Sequence, residues 1–271
     1  MARAVWASRT ACAALAALGA LAAAGPARSG EAGALQLELG AALGQRTLTE
    51  HDAAGARLLR ESGPLARLRA AARPAAPWSG LDVNAALTLA PLDYQGQTQS
   101  GAALSTDSRH RDLELGVGWR PLPASAWGEP ALTLSWLDSR RAIAGTSQVG
   151  GLTETSSLWL PGLAWRSPVL ALAFGRASMQ LSWRASIAQR LQVDYGGAFD
   201  ASSFTGGRRE EVLLRLGLAS SDAWRWALEW SRTRQAASAP ATLYRNAVAV
   251  GTVRQPQLRI DDLSLSLTRI F

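Results

Sequence analysis

The chain has 271 residues, 48% of them hydrophobic, and a mean hydropathy of +0.00, which fits a soluble domain or a strand-crossed membrane protein equally. Its one cysteine, Cys12, excludes internal disulfides, and with only two histidines it leaves no Cys/His zinc site and no cysteine nucleophile downstream. All 28 basic residues are arginine against 21 acidic ones, a net charge of +7; in an exported chain such basicity points to anionic lipid headgroups more readily than to nucleic acid.

Arg3 and Arg9 lead into a run of small apolar residues from Thr10 to Ala24. It is shorter than the roughly 20 residues a spanning helix needs. Residues 1–24 therefore read as a secretory signal peptide, cleaved after Ala24 or after Ala27. Removing Arg3 and Arg9 takes the charge from +7 to +5.

Beyond the leader, the pattern is of period two. Leu35, Leu37, Leu39, Ala41 and Leu43 alternate with Gln36, Glu38, Gly40 and Ala42. A second strand sets Ala66, Leu68, Ala70 and Ala72 against Arg67, Arg69 and Arg73, with a bulge or bend expected at Gly63-Pro64. Leu81, Val83, Ala85, Leu87 and Leu89 oppose Asp82, Asn84 and Thr88, and a polar connection runs from Asp93 to His110. Leu113, Leu115, Val117 and Trp119 oppose Asp112 and Glu114 before a turn from Pro121 to Pro130. Leu132, Leu134 and Trp136 alternate with Thr133 and Ser135, and a Gly- and Thr-rich loop spans Asp138 to Thr155. In the sixth strand Trp159, Leu163 and Trp165 share one parity and Leu158 and Leu160 the other, so its faces stay open. Leu181, Trp183, Ala185 and Ile187 restore the pattern before a loop from Asp194 to Gly207. Val212, Leu214, Leu216 and Leu218 follow, then a tight turn at Ala219 to Asp222, then Trp224, Trp226, Leu228 and Trp230. A long connection from Arg234 to Gln255 has room for a small hairpin near Asn246. Leu258 and Ile260 are out of phase with Leu263, for which a bulge at Asp261-Asp262 is the expected cause.

The most specific signal is the last strand, where Leu263, Leu265 and Leu267 alternate with Ser264, Ser266 and Thr268 and the sequence finishes on Phe271. It resembles the closing strand of bacterial outer-membrane β-barrel proteins, with one departure: Arg269 stands where that family shows an apolar or aromatic residue. The resemblance implies an all-β, transmembrane antiparallel β-barrel over residues 34–271, in the outer membrane of a Gram-negative bacterium. It also implies as partners the membrane's lipid and lipopolysaccharide and, during biogenesis, the barrel assembly machinery and periplasmic chaperones. The strand count is about ten, with short and long connections alternating and both termini on the short-turn side, so that the first strand can pair with the last and leave no edge in lipid. Trp78, Trp119, Trp127, Trp165 and Trp224, with Phe271, fall beside the short turns, as an aromatic girdle would.

On the parity opposite the apolar residues lie Glu38, Asp82, Asp112, Glu114, Glu211, Glu229 and Asp262 with Arg67, Arg69, Arg184, Arg190, Arg215 and Arg225. In a narrow barrel this near-balanced set is expected to pair across the lumen and fill it; a charge-lined path for small solutes is the alternative. Loop arginines Arg140, Arg141, Arg208 and Arg209 are candidates for lipopolysaccharide phosphates. The ten-strand count resembles the omptin proteases, but their paired-carboxylate and Asp-x-His motifs are missing, as is the His-x-Ser of lipid A deacylases at His51 and His110. No phosphate-binding glycine loop, EF-hand loop or metal cluster is legible, so neither a catalytic centre nor a cofactor is expected. The order of readings is a surface barrel with a structural or binding role, then a narrow channel, then a hydrolase using a histidine at the rim.

Overall fold

In the computed structural model the described residues are 35–74, 80–97, 102–122, 125–147, 149–187 and 189–271; the leader and Trp78 lie outside them. Every regular element is a strand: β1 (Gln36–His51), β2 (Arg57–Arg73), β3 (Leu81–Gln97), β4 (Ala103–Trp119), β5 (Glu129–Ile143), β6 (Leu152–Arg166), β7 (Leu170–Leu172), β8 (Gly175–Ala185), β9 (Gln189–Asp194), β10 (Ser202–Thr205), β11 (Arg209–Ala219), β12 (Trp224–Gln235), β13 (Ala241–Arg245), β14 (Val248–Val253) and β15 (Gln257–Ile270). Ten of them, β1 to β6, β8, β11, β12 and β15, form a closed antiparallel barrel. Closure comes from β15 pairing with both β12 and β1, while β8 joins β6 to β11. The start of β1 and the end of β15 are tied directly, the Phe271 amide donating to the Leu37 carbonyl at 2.9 Å. A closed ring leaves no row of unpaired backbone groups along the barrel wall, the requirement for a sheet in hydrocarbon.

The staves are longer than a bilayer demands. A tilted spanning strand needs about 9–11 residues, whereas β2, β3 and β4 have 17 each. The surplus projects from the end opposite the termini, and the two faces exchange chemistry there. Near the termini the outward side chains are apolar and exposed, among them Leu37, Leu43, Val83, Leu115, Leu132, Leu228 and Leu265. Toward the distal end the outward positions become Thr47, Ser62, Asp93, Arg109, Arg140 and Arg234. The inward positions there become Leu48, Leu65, Leu92, Leu137, Leu158, Leu160 and Ile260, all buried. A wall in lipid must be apolar outside, whereas a wall in water must be polar outside and is free to be apolar within.

That exchange corrects several expectations. The stretches 93–110 and 138–155, which read as connections, are largely strand, and the β1–β2 turn is only five residues long. It is closed by the Asp52 carboxylate accepting the amides of Ala54 and Ala56, with Gly55 at φ 83°. β15 has no bulge at Asp261-Asp262: its register with β1 is continuous, and Leu258 and Ile260 point into the distal interior. Gly63-Pro64 does not shift the register with β1 either. Instead the β2–β3 ladder opens between the Ser62–Asp93 and Ala66–Leu89 pairs, where the register sets Pro64 opposite Pro91 and neither has an amide to donate. Gly63 is required there, since a Cβ would sit 2.4 Å from the Pro91 carbonyl oxygen. In β6, Trp159 and Leu163 face out, and Leu158 and Leu160 face in.

Candidate functional site

The interior is the only part of the described structure where charged groups converge in number, and they lie in three tiers along the axis. In the distal tier, the Arg141 guanidinium is held by three carboxylates, Glu50, Glu61 and Glu154, the last at 2.9 Å. Glu61, fully buried, also accepts from Ser108 at 2.6 Å and meets His110 Nε2 at 2.7 Å. Beside this network Leu48, Leu59, Tyr94 and Ile260 pack together, with Leu104, Ile143 and Leu258 against them. Burial and the neighbouring Glu154 and Glu61 charges outweigh Arg141 at Glu50 and push its carboxyl up to about 7. Glu61 is buried too, but Arg141 and His110 more than offset that and hold it down at about 2.

The middle tier is built from bidentate arginine contacts. Arg46 reaches both oxygens of Asp262 at 2.9 Å and Asp112 at 2.8 Å, while Ser139 donates to Asp112 at 2.6 Å. Arg184 joins Glu114 at 2.8 Å to Glu211 at 2.9 Å, and Arg209 lies 3.6 Å from Glu211. Buried guanidinium and carboxylate groups survive only when so paired, and the fork geometry of arginine satisfies two oxygens at once.

The terminal tier is less evenly matched. Glu229 alone is surrounded by Arg69 at 2.6 Å, Arg215 at 3.3 Å and Arg67 at 3.7 Å, with Arg67 also reaching Asp262. Glu38 is shared by Arg73 at 3.1 Å and Arg225 at 3.8 Å, and Arg120 lies between Asp82 and Glu129. The Arg166 side chain makes no direct ion pair among the described residues, although Glu129 is within electrostatic reach. Counted by tier among the described residues, the distal one has Arg141 against three carboxylates and the middle one Arg46, Arg184 and Arg209 against four. The terminal one has seven arginines, with Arg166, against Glu38, Asp82, Glu129 and Glu229. The lumen is neutral in sum and positive at its terminal end. A cavity of about 280 Å³ occupies the terminal and middle tiers.

Twelve of the thirteen residues expected in the lumen project inward: Glu38, Arg67, Arg69, Asp82, Asp112, Glu114, Arg184, Glu211, Arg215, Arg225, Glu229 and Asp262. Arg190 does not. Between β8 and β9 the register against β6 slips by one residue, from Arg184 opposite Gly162 to Arg190 opposite Ser157, and this sends Leu191 inward and Arg190 out. The two arginine doublets are also split, because successive strand residues face opposite ways. Arg140 and Arg208 are exposed, whereas Arg141 and Arg209 are buried in the lumen. Arg73 falls on the inward parity read for β2, whereas Arg46, Arg120, Arg166, Glu50, Glu61, Glu129, Glu154 and His110 were not foreseen there; strict parity carried past the apolar belt would have found those on the strands.

No protein-family model and no curated protein matches the sequence. Among solved structures, the outer membrane protease OmpT from Escherichia coli is similar over 88% of this chain and 96% of that one, with a TM-score of 0.53 at 12% identity. The fold is that of a bacterial outer-membrane β-barrel. The translocator domain of the autotransporter NalP from Neisseria meningitidis aligns over 99% of this chain and 97% of that one at 12% identity and a TM-score of 0.47. Neisserial surface protein A aligns over 87% and 96% at 13% identity and a TM-score of 0.38.

In outer-membrane barrel terms, the described residues of the expected girdle, Trp78 lying outside them, sit at the terminal rim. Trp119 and Trp127 are exposed, and the Trp165 indole donates to the Trp127 carbonyl at 2.9 Å. The Arg269 guanidinium lies 5.4 Å from the Trp224 ring and 5.0 Å from the Phe271 ring. The departure at position 269 thus places a cation between two aromatic faces, a contact suited to a lipid-water boundary. Trp136, directly opposite Trp159, and Trp230, with Arg232 5.3 Å from its ring, stand at the other edge of the apolar belt.

Proposed function

We propose that the protein is a small outer-membrane barrel sealed by its own side chains, with its distal half standing outside the cell in a structural or surface-interaction role. The observation behind this reading is the distal tier: one guanidinium clamped by three carboxylates beside a packed apolar cluster, with Leu48, Glu61 and Ser108 at 1%, 0% and 1% exposure. His110 and Glu61 are the pairing a hydrolase would use, but both are buried and Glu61 is already committed to Arg141 and Ser108. On the outer wall, Arg111 stands directly opposite Arg140 and Arg234 opposite Arg259, just beyond the belt. Asp138 and Asp261 neutralise Arg111 and Arg259, but Arg140 and Arg234 add further positive charge beside them, and like charges so placed attract anions, which favours contact with lipopolysaccharide phosphates at this level, through Arg140 of the expected set rather than the buried Arg141 and Arg209.

The test is conductance in planar bilayers. The unmodified barrel is expected to conduct poorly, and Arg141→Ala with Tyr94→Ala to open a pore. Large, steady conductance from the unmodified protein would replace this reading with that of a narrow channel, for which the cavity below the distal tier already supplies part of a path.

A further inference from the structure

The cavity that runs through the terminal and middle tiers is lined by nine arginines and seven carboxylates, and it holds donors that the protein does not satisfy. The Arg166 guanidinium lines it without a direct ion pair among the described residues, and the like charges of Arg73, Arg225 and Arg120 within its electrostatic reach outweigh the attraction of Glu129. The Nε of Arg73, also in the lining, is buried with no hydrogen-bond acceptor. Converging like charges and an unsatisfied buried donor both raise the free energy of the unoccupied site, and an oxyanion would relieve both at once. Guanidinium forks suit the planar, paired oxygens of phosphate and carboxylate groups. Entry is from the terminal mouth, where Arg73, Arg225 and Arg120 sit at strand ends; the distal tier closes the far end, so a solute drawn in is held rather than passed on.

We infer that this vestibule binds a small multivalent oxyanion, a polyphosphate or polycarboxylate, offered from the side of the membrane on which the termini lie. The segregation of charge favours an anion specifically: the excess of arginine is confined to the accessible tier, and the excess of carboxylate is buried behind it. Binding does not depend on the distal seal, so conductance and binding test separate claims.

The experiment is titration calorimetry of the folded full-length barrel in uncharged detergent, with pyrophosphate and with citrate as probes at low and high salt. Saturable binding of at least one probe is expected, weaker at high salt; whichever binds more tightly identifies the ligand class. Arg166→Gln combined with Arg73→Gln should weaken it about tenfold or more, as loss of charge-assisted contacts would. Arg140→Gln, on the outer wall, should leave it unchanged. Glu129→Gln, which removes a competitor for Arg120, should tighten it and decides the matter if the arginine variants fail to fold. Absence of saturable binding, or binding indifferent to both Arg166→Gln/Arg73→Gln and Glu129→Gln, would overturn the inference.

Discussion

Replacing Arg141 by Met removes the one cation that three distal carboxylates share while keeping a side chain of similar length. Breaking a buried pair by deleting one partner costs about 3–5 kcal/mol, because the other charge is left without compensation. The loss should depend on pH, and the direction follows from the two glutamates. Glu50 in the fold titrates at about 7 against an ordinary 4.5, so the folded state holds the extra proton. Stability from this group therefore falls as pH rises through the interval from its ordinary value to its raised one. Glu61, held at about 2, contributes stability that is present above 4.5 and is lost as pH falls toward 2. The parent barrel should thus be most stable near mildly acidic pH. In Arg141→Met the main attraction on Glu50 is gone, so the full loss is expected at about pH 8 and a smaller one at about pH 5, where Glu50 enters the fold neutral. Urea unfolding in micelles, followed by tryptophan fluorescence and gel mobility at both pH values, measures this. Equal losses at the two pH values, or none, would refute the network as described.

Leu265→Arg puts a charge on the lipid-facing wall, where Leu265 is 54% exposed, and should cost about 2–4 kcal/mol and impair assembly. Gln180→Glu, on the opposite face beside Arg166 in the β6–β8 register, should assemble as the parent does in the same gel-shift assay. Asp200→Ala should free the β13–β14 hairpin, since the Asp200 carboxylate caps the amides of Asn246 and Ala247 at 3.0 and 2.8 Å. The readout is faster proteolysis within 241–253 with unchanged global stability. In intact cells, trypsin should cut at exposed Arg57 and Arg254 at the distal end, while exposed Arg176, beside the terminal 220–223 turn, is spared; the reverse pattern would invert the orientation.

The membrane-level wall was legible because lipid on one side and charge on the other fix each residue's face. Leu263, Leu265 and Leu267 and the Asp112–Trp119 run fall where alternation puts them. Above the belt the same rule misleads. Water replaces lipid outside, and the side chains that must be apolar, Leu65, Leu92, Leu137, Leu160 and Ile260, are the inward ones. Phase inverts with no change in strand, so polar strand reads as loop and the inversion at Leu258 reads as a bulge. The slip that does occur, between β8 and β9, leaves no comparable mark in composition, and for that reason Arg190 was put on the wrong face.

Charge was legible as a sum but not as a distribution. Arginines and carboxylates on the inner parity nearly cancel, and cancellation alone suggests a uniform plug. Height along the axis depends on register across several strands, so one carboxylate serving three arginines, as at Glu229, and one arginine serving three carboxylates, as at Arg141, look alike in the sequence. Physically they are opposites. The carboxylate-rich cluster is dry and closed by apolar packing, where only full pairing or protonation is tolerable. The arginine-rich cluster borders a cavity, where a solute can supply the missing charge. The same neutral total thus divides into a seal and a receptive site, and the division follows from which end of the lumen is packed.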